Sequence, residues 1–88
     1  MQQWADAVID AVKVMLDRQR KYGCSNIAVF GGAGVVVRAS DKVNRLKHAY
    51  FEDGAIDVPD ESLGDSFLDL LNYGAIGLIC VKGEWPRA

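Results

Sequence analysis

The sequence predicts an all-α fold, in which an antiparallel three-helix unit forms a single domain over residues 1–88 and assembles into a helical homo-oligomer. Two segments repeat apolar residues at the spacing of one helix face, and a third is apolar around almost its whole circumference. A chain of 88 residues has only a small core, which oligomerisation commonly supplements. Each helix carries more apolar residues than a three-helix monomer can cover, so we expect a dimer or a larger assembly.

The first predicted helix runs from about Gln3 to Lys21. Its apolar stripe comprises Trp4, Val8, Ala11, Val12 and Met15. Arg18 and Lys21 lie in the last turn, where positive charge suits the helix dipole. Gly23 is typical of a residue that ends a helix, so we expect the helix to stop there.

The second predicted helix runs from Val35 to about Phe51 and follows a glycine-rich loop, 23–34. Its expected buried side comprises Val36, Ala39, Val43, Leu46 and Tyr50. The loop contains Gly31, Gly32 and Gly34 close to the expected helix start. Glycine permits close backbone approach, and the free N–H groups of a helix start attract anions. The loop is either a phosphate cradle or a tight turn between helices.

The third predicted helix covers residues 61–81, with Asp60 as its N-cap, and follows a connecting loop, 52–59. The tail, 82–88, is expected to be an exposed end. This helix is apolar on nearly every side and should be largely buried, yet Asp65, Asp69 and Asn72 lie on one face at spacings of four and three. Buried carboxylates need a cation, a metal or strong donors, because an unpaired buried charge is costly.

The second helix offers a positive partner for that face. Its polar side comprises Arg38, Asp41, Lys42, Arg45 and His48. We expect Arg38 or Arg45 to neutralise Asp65 or Asp69, and the remaining basic groups to hold phosphate. The alternative is a solvated face with a weak ion pair between side chains one turn apart. Tyr22 and Tyr73 either stack on a nucleobase or pack in the core.

The composition narrows the functional classes. A formal net charge of −2 and a pI near 5.2 argue against a general binder of nucleic-acid duplexes. Cys24 and Cys80 have neither a metal-site spacing nor a disulfide pattern, which indicates a reducing compartment. We find no signal-peptide pattern, and the third helix is interrupted by Asp69, Asn72 and two glycines. These features predict a cytoplasmic protein without a membrane partner.

The segments KYGCSN, GGAGVVVRASDKVNRLKH and DESLGDSFLDLLNYGAIGLI follow one another along the chain. Together they resemble the phage and bacterial nucleotide modification associated domain family. The matching positions are Gly34, Arg38, Asp41, Lys42, Arg45, Leu46, Asp60, Glu61, Ser62, Asp65, Asp69, Leu70, Asn72 and Tyr73, with a looser match at Tyr22-Gly23. The resemblance implies a small all-α protein, often phage-encoded and then located in the host cytoplasm, that binds or acts on nucleotides.

The chain is also similar, more distantly, to the all-α nucleotide pyrophosphohydrolases of the MazG type. Those enzymes hold Mg²⁺ with carboxylates from two helices, since this hard cation prefers oxygen ligands. The resemblance implies Glu61, Asp65 and Asp69 as candidate metal ligands. The family's other carboxylate group has no counterpart on the stripe of the first helix, so a partner subunit would have to complete such a site.

Three hypotheses follow. The first is a non-catalytic protein that sequesters a phosphorylated nucleotide, such as an immune signal, in pockets of a helical homo-oligomer, with no cofactor required and an anti-defence role. Its ligand-binding residues would be Gly31, Gly32, Gly34, Arg38, Asp41, Lys42, Arg45, Asp65, Asp69, Asn72 and Tyr73. The second is a Mg²⁺-dependent nucleotide pyrophosphohydrolase. The third is a structural helical oligomer whose polar stripe is an internal ion-pair network.

Overall fold

A computed structural model describes residues 1–86. The chain forms α1 (Gln2–Tyr22), α2 (Ser25–Lys47), one π-helical turn (His48–Glu52) that continues α2, and α3 (Glu61–Val81). No strand occurs within residues 1–86. The predicted all-α class with three helices is confirmed.

The first helix has the predicted extent but a different inward face. Ala11 is its buried residue, at 2% exposure, whereas Trp4 and Val12 are 72% and 47% exposed. The predicted apolar stripe therefore does not face inward at Trp4 and Val12. The reason is that α1 packs chiefly on α3, and the residues that face α3 are centred on Ala11 rather than on Trp4 and Val12.

The expected loop at 23–34 is wrong over most of its length. Residues 25–30 are helical, and the break lies at Gly31, whose φ of 58° and ψ of −145° are not helical. Beyond it α2 continues to Lys47. A Cβ at Gly34 would lie 2.6 Å from the Cβ of Phe30, so this glycine permits close packing across the kink. The glycines therefore bend a helix instead of preceding one.

The second and third helices form an antiparallel pair. Val35 lies beside Gly77: a Cβ added at Gly77 would be 3.9 Å from Cγ1 of Val35. Further along α2, the ring of Tyr50 lies 6.5 Å, between centroids, from that of Phe67. Later residues of α2 thus meet earlier residues of α3, which establishes their opposite directions.

The inward face of α2 agrees with the predicted face at Leu46 but differs from it at Val36 and Val43. Val35 and Leu46 are buried, whereas Val36 and Val43 are 64% and 41% exposed. The expected burial of Val36 and Val43 is wrong. Lys42 stands seven residues after Val35 and four before Leu46, so the buried face of α2 is also the one that directs Lys42 toward α3.

The third helix begins as predicted but buries its polar side. The Asp60 carboxylate accepts the Leu63 N–H at 3.1 Å, which confirms the N-cap. The buried residues are Ser66, Asp69, Asn72 and Ile76. Phe67, Leu71 and Leu78 are 51%, 42% and 65% exposed, so the expectation of a largely buried helix is wrong for the single chain.

Helix α3 has the length and composition of a membrane-crossing helix. Its most apolar stretch of 18 residues has a mean hydropathy of 1.2, and 22% of that stretch is buried. Asp69, Asn72 and two glycines interrupt this apolar segment, so it meets the criterion by length and composition alone. Core helices of soluble proteins meet the same criterion. The cytoplasmic location stays a prediction.

The tail returns to the body of the protein. The Trp85 indole N–H donates to the carbonyl oxygen of Cys24 at 3.0 Å, and the side chain is half-buried. The expectation of an exposed end is wrong at Trp85. It also covered Arg87 and Ala88, which lie outside the described residues.

The kink in α2 yields a matched pair of variants. We expect Gly31→Ala to lower the free energy of unfolding by about 1–3 kcal/mol, because alanine is strained at this φ and ψ. A Cβ at Gly32 would have no neighbouring atom within 4 Å, so Gly32→Ala should leave the free energy of unfolding unchanged or raise it. Thermal unfolding of both variants measures the difference, and equal effects would contradict the kink at Gly31.

Candidate functional site

An ion triad joins the three helices. The Asp69 side chain, 10% exposed, accepts Arg18 Nη1 on Oδ1 at 2.8 Å and lies 3.0 Å, through Oδ2, from Lys42 Nζ. Each carboxylate oxygen thus has its own cation, one from α1 and one from α2. Hydrogen bonds between charged groups are stronger than neutral ones, so the triad fixes how α1 and α2 lie against α3.

The triad keeps Asp69 ionised. Burial acts to raise the pKa of Asp69, but the hydrogen bonds from Arg18 and Lys42 outweigh it, and the pKa lies below 3.8. The hydrogen bond between Arg18 and Asp69 also raises the pKa of Arg18. With two cations for one anion, the triad has a net positive charge at neutral pH.

The expected partners of the carboxylates are only partly correct. The second helix does pack on the third, but Lys42 and Arg18 pair with Asp69, so the prediction of Arg38 or Arg45 as the neutralising group is wrong. Asp65 is exposed, so the prediction of a second buried carboxylate is also wrong. Arg18 stands seven residues after Ala11 on the same helix face. A cation within an apolar stripe was the signal that could have identified it.

A pocket opens next to the triad, with a volume of about 130 Å³. Its lining combines side chains from the three helices with Trp85 of the tail. They are Met15, Arg18, Gln19, Tyr22, Asn26, Ile27, Arg38, Asn72, Tyr73, Ile76 and Trp85. The predicted ligand residues Arg38, Asn72 and Tyr73 therefore come together here.

The polar groups of this pocket favour an anion. Arg18 and Arg38 are its charged side chains, and no carboxylate lines it within residues 1–86. Arg38 Nη2 donates to Asn26 Oδ1 at 2.8 Å, which orients the guanidinium. Asn72 is 6% exposed, and its Nδ2 has no hydrogen-bond partner in the described part of the chain. An unsatisfied buried donor is costly, and an acceptor from a ligand would relieve that cost.

The pocket also has aromatic walls. Tyr22 and Tyr73 stand on α1 and α3, and Trp85 enters from the tail, held by its hydrogen bond to Cys24. Aromatic faces stack well on planar ligands, including nucleobases. Trp85 was missed by sequence reasoning because its position depends on a contact between residues 61 apart in the chain.

Several predicted ligand residues lie elsewhere. Gly31 and Gly32 line a neighbouring groove of about 160 Å³, which shares Trp85 with the pocket. Asp41 and Arg45 are exposed on α2, away from the pocket lining. Lys42 and Asp69 belong to the triad and affect the pocket through Arg18.

The carboxylates of this chain do not form a metal site by themselves. Asp69 is already paired with two cations, which compete with a metal for its oxygens. Glu61 and Asp65 are exposed. Among the described residues, no group of three or more His, Cys, Asp or Glu side chains is arranged to hold a metal ion. The donor set of the single chain therefore does not fit Mg²⁺.

Comparison of the chain with family models, curated proteins and solved structures finds no match.

The triad predicts a specific loss of stability. We expect Asp69→Ala to lower the free energy of unfolding by about 2 kcal/mol at pH 7, because it leaves two cations without their shared carboxylate. Urea denaturation measures this value. Asp65→Ala, on the exposed part of the preceding turn, is the control and should change it by less than about 0.5 kcal/mol. Equal losses would show that the triad does not stabilise the fold.

The same pair of proteins has a predicted pH dependence. The pKa of Asp69 in the folded protein is lowered from 3.8. The ionised carboxylate therefore contributes its full stabilisation of the fold above pH 3.8, and this stabilisation is lost as the pH falls through the folded-state pKa. The stability difference between the wild type and Asp69→Ala should therefore shrink below pH 3.8. A difference that stays constant in acid would contradict the ionised triad.

Proposed function

We propose that this protein binds and sequesters a phosphorylated nucleotide in the pocket lined by Arg18, Arg38, Asn72, Tyr73 and Trp85. The observation that carries the proposal is the unpartnered Nδ2 of the buried Asn72 in a pocket with two arginines and no carboxylate among the described lining residues. These groups offer hydrogen-bond donors and positive charge to a ligand rich in acceptors.

The two guanidinium groups support phosphate as the anionic part of the ligand. A guanidinium presents several N–H donors in a planar fork that matches phosphate geometry. Arg18 uses Nη1 for Asp69, and Arg38 uses Nη2 for Asn26, so each keeps other donors for a ligand. The existing bonds hold both side chains in place, which reduces the conformational entropy lost on binding.

The aromatic walls of the pocket support a nucleotide rather than phosphate alone. Stacking between a base and an aromatic side chain contributes about 1–3 kcal/mol. The volume of about 130 Å³ is below the several hundred cubic ångströms typical of pockets that enclose a whole ligand. One part of the nucleotide would therefore enter the pocket, and the rest would lie across its mouth.

The resemblance to the nucleotide modification associated domain family supports the same ligand class, since Arg38, Asn72 and Tyr73 are shared by its pattern and by the pocket. Sequestration fits this set of groups because each has a binding role. The Mg²⁺-dependent pyrophosphohydrolase and the purely structural oligomer are the alternatives that experiment must separate from binding.

A thermal-shift series tests the proposal. Deoxynucleoside and nucleoside triphosphates, ADP-ribose derivatives and cyclic oligonucleotides are each added with Mg²⁺ or with EDTA. A ligand at one hundred times its Kd stabilises the native state by about 2.7 kcal/mol, which raises the melting temperature by several degrees. We expect a shift that persists in EDTA with the ligand recovered intact. Turnover that requires Mg²⁺ would indicate the hydrolase, and no shift with any nucleotide would indicate the structural oligomer.

The arginine role is tested by a pair of variants on one helix. Arg38→Gln should reduce nucleotide affinity at least tenfold, because it removes a cation from the pocket. Arg45→Gln, on the exposed side of α2, should bind as the wild type does. Isothermal titration calorimetry measures both affinities, and an equal loss in the two variants would point to general electrostatic attraction instead of this pocket.

The amide of Asn72 predicts a trade-off between stability and binding. We expect Asn72→Leu to unfold at the same or a higher temperature than the wild type, since it removes an unsatisfied buried donor while keeping the number and branching of the side-chain heavy atoms. It should also lose the shift that nucleotides cause. A variant that is less stable but binds normally would assign Asn72 to packing alone.

A further inference from the structure

The chain leaves far more surface exposed than a compact protein of its mass. Its accessible surface is 6,586 Å². A folded monomer of 9.6 kDa is expected to expose about 5,100 Å². Its radius of gyration, 14.2 Å, also exceeds the roughly 12 Å expected for this length. The excess of about 1,500 Å² is larger than the roughly 800 Å² that each partner buries in a stable complex.

The outer face of α3 is a continuous apolar part of this surface. Phe67, Leu71, Leu78 and Val81 lie on it, between 42% and 86% exposed. Gly74 shares the face, and a Cβ there would meet nothing within 4 Å. Charged residues occur only at its two ends, with Asp60 before the helix and Lys82 after it. An apolar face of this extent is typical of an interaction surface.

We propose that this face binds the same face of a second copy of the chain, with the two α3 helices antiparallel. In that direction Phe67 of one copy can lie opposite Leu78 of the other, and Leu71 opposite Gly74. A large side chain then meets a glycine, which lets the two helices approach closely. The pairing is two-fold symmetric, so the same contacts form twice.

Charge supports the antiparallel direction. It brings Lys82 of one copy near Asp60 of the other, and it opposes the two helix dipoles. A parallel pair would place like charges together at both ends and would stack Phe67 on Phe67. The face is therefore complementary to itself only when one copy is reversed.

The same face is a poor fit for a membrane. Asp69 and Asn72 lie near the middle of α3, and Asp69 is tied to Arg18 and Lys42 on the other two helices. Insertion of α3 would move this charged triad into the hydrocarbon layer, which is costly. A second copy covers the apolar face without moving the triad.

Two variants with matched exposure test the surface. Leu78 and Val36 are 65% and 64% exposed, on α3 and α2 respectively. We expect Leu78→Asp to weaken self-association at least tenfold, and Val36→Asp to leave the assembly unchanged, as measured by size-exclusion chromatography with light scattering. Circular dichroism checks that both variants are folded. A wild-type monomer at micromolar concentration, or equal behaviour of the two variants, would overturn the proposal.

Cross-linking tests the direction of the pair. On a Cys80→Ser background, Phe67→Cys and Leu78→Cys proteins are prepared separately and then mixed under oxidising conditions. The mixture should form a mixed disulfide dimer, whereas Phe67→Cys alone should not cross-link. Cross-linking of Phe67→Cys with itself would instead indicate a parallel pair. Flotation with phosphatidylcholine–phosphatidylglycerol vesicles that is lost in Leu78→Asp would identify a membrane, not a second copy, as the partner.

Discussion

The contact between Asp69 and its two cations is the constraint on which the rest of the structure depends. A carboxylate buried in the middle of an apolar helix requires a partner, because a lone charge there would cost several kcal/mol. Arg18 and Lys42 supply that charge from two different helices. Because both side chains must contact Asp69, α1 and α2 can adopt only a narrow range of rotations about their axes. This rotation decides which apolar residues face inward and which face solvent.

The triad also connects the fold to the candidate site. Arg18 binds Asp69 on one side and lines the pocket on the other, so the interaction that assembles the helices also positions a cation in the pocket. Arg38 is held similarly by Asn26. By contrast, the Nδ2 of Asn72 has no partner among the described residues. Satisfied groups hold the pocket in shape, whereas the Asn72 amide keeps an unused donor.

Placing the polar stripe inward has a consequence for the outer surface. Helix α3 turns Ser66, Asp69 and Asn72 toward its neighbours, so Phe67 and Leu78 point outward. A helix that is apolar on nearly all sides cannot cover both its charged stripe and its apolar face within one small chain. The interior triad and the proposed contact between two α3 helices are thus two results of the same sequence pattern.

The sequence by itself determined the all-α class, the extents of α1 and α3, the Asp60 cap and the need of Asp69 for a cationic partner, because periodicity and capping are local properties and a buried charge must be paired. Only the tertiary structure decided that Arg18 and Lys42 neutralise Asp69, that residues 25–30 are helical before the kink at Gly31, and that Trp85 closes the pocket. The ion pairs of Asp69 and the position of Trp85 depend on contacts between residues distant in sequence, and rotating a helix by one residue changes which side chains meet. The kink depends on the backbone conformation of Gly31, which the 3.6-residue pattern does not reveal.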